Sequence, residues 1–260
     1  MKELCMDFKS IKNSYGRVCG DICPRQTLRL MQNALRSLSF DVVFYTVTLV
    51  WGIVCLPFLL GPLRWTVTIS RLWCGWTLWL LRHLVGLDFR VTGALPSPPF
   101  IIAAKHESAW ETLALTYLTH NPAFILKSSL LHMPILGWYF QKLGMIPVRS
   151  THPTQSLKHM LTCADHIKQQ GRPMIIFPEG TRVHPGTTPP LKTGLWHLYQ
   201  HLQVPIVPVS LDSGQFWGRR SWIKKPGNIH VHIHPPFFNP HITKTELLTH
   251  IKQAINGQEN

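Results

Sequence analysis

The sequence predicts an α/β fold, a largely parallel sheet flanked by helices, preceded by a membrane-embedded helical hairpin. Three observations carry that reading. Beyond residue 87, short apolar runs alternate with helical patterns, as layered α/β domains require. From Val42 to Gly61 the chain reads VVFYTVTLVWGIVCLPFLLG, uncharged for twenty residues, about the length of a membrane-spanning helix. The segment after it combines arginines with four tryptophans. The boundaries follow: a basic extension over 1–39, a membrane-associated hairpin over 40–87, and a soluble body over 88–260.

The extension carries seven Lys/Arg against three Asp/Glu in its first 36 residues, and residues 25–38 suit a short amphipathic helix. The apolar run at 42–61 lies too deep in the chain for a secretory signal. Pro57 should kink it, and Gly61-Pro62 should turn the chain back. Over 63–87 a helical period places Arg64, Thr68, Arg71, Gly75 and Arg82 on one stripe and Trp65, Trp73, Trp76 and Trp79 on another face. A basic stripe beside an aromatic face describes a helix lying in the membrane interface. In the body, LDFRV, PFIIAA, AFIL, MIPV, PMIIF, PIVPVSL and IHVHI read as strands. Helices are expected over 108–118, 128–143, 155–169, 192–202 and 243–255.

Composition narrows the function. With 26 Lys+Arg against 12 Asp+Glu, the formal charge is +14, which favours a polyanionic partner such as an anionic membrane or a phosphorylated substrate. No helix-turn-helix, RNA-recognition or zinc-finger signature is present, so nucleic acid is not the expected partner. The six cysteines form neither a disulfide framework nor a metal pattern; Cys19 and Cys23 come nearest to a ligand pair. His230, His232 and His234 share a strand face without a partner spaced to complete a metal site. The absence of G-x-S-x-G argues against a serine lipid hydrolase.

Two motifs follow buried strands, where open α/β sheets collect ligands. In KHESAWE, Glu111 stands five residues after His106, about 140° round a regular helix, so the two meet only if His106 precedes the helix. Ser108-Ala-Trp-Glu111 has the form of a capping box, which leaves His106 free to fold back over the first turn. Glu111 then has two possible roles, bonding the Ser108 amide or orienting the imidazole as the third member of a triad does. The second motif, FPEGTR (177–182), pairs a Pro/Gly turn with Arg182. Backbone amides around Gly180 and Thr181 could face an anion, and the guanidinium forks onto phosphate.

Together, His-x4-Glu, FPEGTR about seventy residues later and VPIVPVS (204–210) resemble the glycerolipid acyltransferases, and more closely those acting on 1-acyl-glycerol-3-phosphate. The resemblance spans roughly residues 86–240 and makes the soluble body the catalytic domain. It implies His106 as general base, Glu111 as its orienting carboxylate, and the loop of Glu179, Gly180, Thr181 and Arg182 as the acceptor-phosphate site. It also implies a membrane-associated enzyme of phospholipid synthesis, and the cysteines, read as reduced thiols, point to a catalytic domain facing the cytoplasm. The acceptor is a lyso-phospholipid, and the donor an acyl thioester of coenzyme A or acyl-carrier protein, with no cofactor or metal. Other lyso-lipids, aminoacyl ones included, and a non-catalytic membrane-binding module are the alternatives. Two departures stand out. Glu111 occupies a position usually held by Asp, and GMIPVRS (144–150) puts Arg149 and Ser150 where the family has Asp-Arg. Arg149, Lys105 and Lys127 are therefore further candidates for the acceptor phosphate.

Overall fold

Alternation along the strands decides the architecture. In IIAA, Ile102 and Ala104 face one way and Ile101 and Ala103 the other, and all four are fully buried. A strand buried on both faces needs helices on both sides. The computed structural model describes residues 24–149 and 151–257, with side chains from residue 27 onward. The Cys19/Cys23 pair, Ser150 and most of the basic extension lie outside those residues.

The strands are β1 (Leu87–Thr92), β2 (Ile101–Ala104), β3 (Ala123–Lys127), β4 (Ile146–Val148), β5 (Met174–Ile176), β6 (Ile206–Leu211) and β7 (Gly227–Ile233). They form one sheet in the order β1-β7-β6-β2-β5-β3-β4. All neighbouring pairs are parallel except β6–β7, so β1 and β7 run against the other five. The expected largely parallel sheet is present, with each strand overlapping its expected segment.

The first helix, α1, runs unbroken from Pro24 to Val54. The expected boundary at residue 40 falls inside it, because no Pro or Gly interrupts 25–51 and the change in hydropathy at 40 carries no backbone break. Thr27–Val54 is long and apolar enough to cross a membrane, and only 17% of its most apolar window is buried. A 3-10 turn (Leu56–Leu60) and Gly61-Pro62 reverse the chain into α2, Leu63–Leu80. A π turn, Leu81–Val85, ends on Gly86, whose φ of +78° favours glycine.

Then come α3 (Trp110–Leu118), α4 (Leu136–Lys142), α5 (Pro153–Gln169), α6 (Gly194–Leu202) and α7 (Lys244–Ile255). The helix expected over 128–143 is split: Ser128–His132 is a 3-10 turn, and α4 starts only after Pro134 and Ile135, the latter at a φ of +62°. On one sheet face, α2, α3 and Phe40 of α1 pack against Ile102, Ile175 and Val207. On the other, α5, α6 and α7 pack against Ile101, Met174 and Ile206.

The tryptophan face of α2 is divided. Trp65 and Trp79 are exposed, whereas Trp73 is partly buried and donates to Thr48 Oγ1 of α1 at 3.1 Å. The basic stripe is also interrupted. Arg64 and Arg82 are exposed, but Arg71 and Gly75 line a groove against Tyr117 of α3, and the Arg71 Nε is buried. The packing of α2 on α3 sets this; the stripe is not wholly a surface feature.

Candidate active site

Three adjacent parallel strands, β6, β2 and β5, end on one edge of the sheet. β2 releases Lys105 and His106, β5 releases FPEGTR, and β6 releases Asp212 and Ser213. Residues more than 100 apart in sequence are thereby gathered at the carboxyl ends of neighbouring strands.

His106 lies four residues before α3 and folds back over its first turn. Its Nδ1 is 3.5 Å from Glu111 Oε2, an ion-pair separation too long for a well-formed hydrogen bond. The Nδ1 is buried and has no hydrogen-bond partner among the described atoms. Glu111 is fully buried and accepts from the Ser108 amide at 2.7 Å, the Glu107 amide at 3.0 Å and the Ser213 hydroxyl. A buried carboxylate so supplied with donors is held in one orientation. The capping box forms only by half, since α3 starts at Trp110 and the Ser108 hydroxyl accepts from the Trp110 amide. Glu111 is thus at once a cap for the turn and a neighbour of the imidazole.

Phe177, the first residue of FPEGTR, stacks on His106 with ring centroids 3.9 Å apart and planes 16° from parallel. The Val183 amide donates to the His106 carbonyl at 2.8 Å, and the His106 amide donates to Glu179 Oε2 at 2.8 Å. Glu179 therefore joins the two motifs and points inward, away from any acceptor. Burial pushes its carboxyl up to about 7, with Glu107 and Glu111 adding to the rise and the His106 amide and Lys105 opposing it. The Gly180 amide closes a turn on the Phe177 carbonyl at 2.9 Å and is not offered to an anion. Its φ of +72°, where a Cβ would come within 3.2 Å of Lys192, explains the glycine.

Thr181 and Arg182 line a cavity of about 260 Å³ together with His106, Arg219 and Arg220. The last two come from the loop after β6, and Arg219 Nη1 donates to the Arg182 carbonyl at 2.9 Å. Of the residues expected at the acceptor site, Glu179, Gly180, Lys105, Lys127 and Arg149 are not among the cavity's walls. Lys105 is buried and committed to Glu107 Oε1 at 3.2 Å and Asn256 Oδ1 at 2.8 Å, because its strand end tucks beneath α7. Arg149 is exposed at the end of edge strand β4, two strands away from β5, with its amide bonded to Ser156 Oγ at 2.7 Å. The three strand histidines have local partners: His230 sits 3.1 Å from Asp212, His232 meets Thr92, and His234 meets Ser210.

Sequence reasoning missed Phe177, Ser213, Arg219 and Arg220 as members of this site. Phe177 was within reach, since it opens the FPEGTR motif itself. The other three are brought in by the β6 loop, whose position only the strand order fixes.

Comparison with known proteins agrees with the geometry. Residues 88–212 match the Acyltransferase family. Over 209 residues the chain is 31% identical to the 1-acyl-sn-glycerol-3-phosphate acyltransferase of Pseudomonas aeruginosa, covering 78% of this chain and 80% of that protein. It is 28% identical to the chloroplast 1-acyl-sn-glycerol-3-phosphate acyltransferase of Arabidopsis thaliana, over 84% of this chain and 62% of that protein. The fold is similar to that of the 1-acyl-sn-glycerophosphate acyltransferase PlsC from Thermotoga maritima, with a TM-score of 0.72 at 22% identity, covering 86% of this chain and 95% of that one. With a relative of this identity and coverage, and His106, Glu111 and Arg182 gathered at one sheet edge, the chain belongs to the 1-acyl-sn-glycerol-3-phosphate acyltransferase family.

Proposed function

We propose that the chain transfers a fatty acyl group from an acyl thioester to the free hydroxyl of 1-acyl-glycerol-3-phosphate, giving phosphatidic acid. The observation that carries this is the shared cavity: His106 and Arg182 line one space, with the buried Glu111 behind the imidazole. With Nδ1 facing Glu111, Nε2 is the nitrogen left to work as base. It takes the hydroxyl proton as the oxygen attacks the thioester carbonyl. The tetrahedral intermediate then collapses, the carbon–sulfur bond breaks, and the imidazolium returns the proton to the departing thiolate. Glu111 holds the Nδ1–H tautomer and stabilises the imidazolium between these steps. The Phe177 ring fixes the plane of the imidazole. Base catalysis of this kind is worth about 10²–10⁴-fold, and positioning of the two substrates supplies the remainder.

The donor is an acyl thioester of coenzyme A or acyl-carrier protein. The exposed apolar side chains of α1, among them Leu35, Leu38, Val42, Leu49 and Ile53, support attachment to a bilayer. Incubation with labelled acyl thioesters and a panel of lyso-lipids, with products identified by mass spectrometry, tests the assignment. Diacyl product from lysophosphatidate is expected; free fatty acid would mean a hydrolase, and no turnover a binding protein. Arg182→Ala should raise the acceptor KM roughly 10- to 150-fold, the equivalent of a charge-assisted bond of about 1.5–3 kcal/mol. The donor KM should stay unchanged.

A further inference from the structure

We infer that Arg219 and Arg220, on the loop between β6 and β7, complete the acceptor-phosphate site in place of the arginine that GMIPVRS carries one residue early. This rests on the proposed lyso-phosphatidate acceptor. In that acceptor the phosphate and the reacting hydroxyl are borne on neighbouring glycerol carbons, so the phosphate must sit in the same space as the His106 ring. Three guanidinium-bearing residues line that space, Arg182, Arg219 and Arg220, whereas Arg149 and Lys127 do not. A phosphomonoester carries about −1.5 to −2 charges at neutral pH. One arginine leaves much of that charge uncompensated; a second guanidinium fork supplies the complement.

The loop is built to hold the pair in place. At its start the Ser213 hydroxyl donates to Glu111, and the Gly214 amide donates to Glu107 Oε2 at 3.1 Å. A Cβ at Gly214 would lie 2.7 Å from Glu107, so the loop passes tight against the turn that follows His106. At the far end, Lys224 is buried in an ion pair with Asp41 of α1 and lies about 5 Å from the Phe40 and Trp217 ring centroids. The Ser37 hydroxyl accepts from the Lys224 amide at 2.8 Å. Between these anchors Arg220 adopts a φ of +60°, uncommon for a residue with a Cβ. The two arginines divide the work. Arg219 braces the Arg182 carbonyl, and exposed Arg220 is the free fork for phosphate.

The test compares Arg220→Ala, Arg220→Lys, Arg149→Ala and Lys127→Ala on the full-length protein in mixed micelles. Arg220→Ala should raise the lysophosphatidate KM roughly 10- to 100-fold with kcat changed far less, and Arg220→Lys should recover part of the loss. Inhibition by glycerol 3-phosphate, competitive with the acceptor, should weaken in parallel. With monoacylglycerol, which has no phosphate, the deficit of Arg220→Ala relative to wild type should be much smaller than with lysophosphatidate. A larger acceptor KM effect from Arg149→Ala or Lys127→Ala than from Arg220→Ala overturns the inference, as does an unchanged KM in Arg220→Ala. Transfer to monoacylglycerol or other phosphate-free acceptors alone, by wild type, would instead overturn the proposed function from which it starts.

Discussion

Replacing Glu111 by glutamine separates its two roles. The carboxylate accepts from two backbone amides and the Ser213 hydroxyl through Oε1, while Oε2 faces His106 Nδ1 and takes a second bond from the Ser108 amide at 3.0 Å. The glutamine carbonyl will take the Oε1 place, where three donors converge, which leaves its NH2 toward Nδ1. Three of the four accepted bonds survive, so the loss in stability should stay within about 1–3 kcal/mol, the cost of one unmet buried polar group. For a protein of this size that corresponds to a Tm shift of roughly 2–12 °C. The imidazole fares worse. Opposed by a donor, Nδ1 must become the acceptor, the proton moves to Nε2, and the base is removed. A fall in kcat of about 10²–10⁴-fold is expected, with the acceptor KM nearly constant. Steady-state kinetics beside thermal unfolding of the same preparation measures both. If kcat stays within a few-fold of wild type, Glu111 serves the turn alone and the catalytic reading of the pair is wrong.

Other consequences are as direct. His106→Ala should lose roughly 10²–10⁴-fold in kcat while still binding vesicles, checked by turnover and by lipid co-sedimentation. Phe177→Ala frees the imidazole to rotate and should lower kcat by about 10- to 100-fold with little change in either KM. Glu179, its carboxyl raised from 4.5 to about 7, binds a proton in the native state that the unfolded chain has already lost. Its contribution to stability is complete below about pH 4.5 and declines as pH rises to 7, so Glu179→Gln should flatten this part of the pH profile. Identical urea midpoints against pH for the two proteins would contradict that assignment. Exposed Arg64 and Arg82, each changed to Glu, should weaken binding to anionic vesicles by at least roughly 2 kcal/mol, about 1 kcal/mol per basic group removed, and added salt should shrink the difference.

The strands were legible because each is a run of β-branched and apolar residues bounded by Pro or Gly, as in PFIIAA and PMIIF. His106 was legible as a residue outside its helix because five-residue spacing forbids contact on a regular helix. What escaped was non-local. Nothing in Ser213 itself announces a hydroxyl for Glu111, and nothing in the basic-aromatic loop at 217–225 announces that it reaches the cavity until β6 is placed beside β2. The stripe on α2 was legible only in part for a related reason. Helical period places Arg71 beside Arg64 but does not reveal that Tyr117 of another helix will cover that part of the face. The extent of α1 escaped because composition marks where the surroundings change, while only backbone-breaking residues mark where a helix stops.

Asp41 and Ser37 stand on the helix that presents its apolar side outward, yet both hold the loop that reaches over the cavity. On the proposed reading, attachment and recognition share one short stretch of polypeptide. A shortened protein lacking everything before Leu87, prepared for convenience in aqueous buffer, would keep His106, Glu111 and Arg182 in sequence. It would also leave Lys224 without its counter-charge and the Phe40 ring, and the arginine loop without its far anchor. Its choice among acceptors would then describe the truncated molecule, not the enzyme at its native surface.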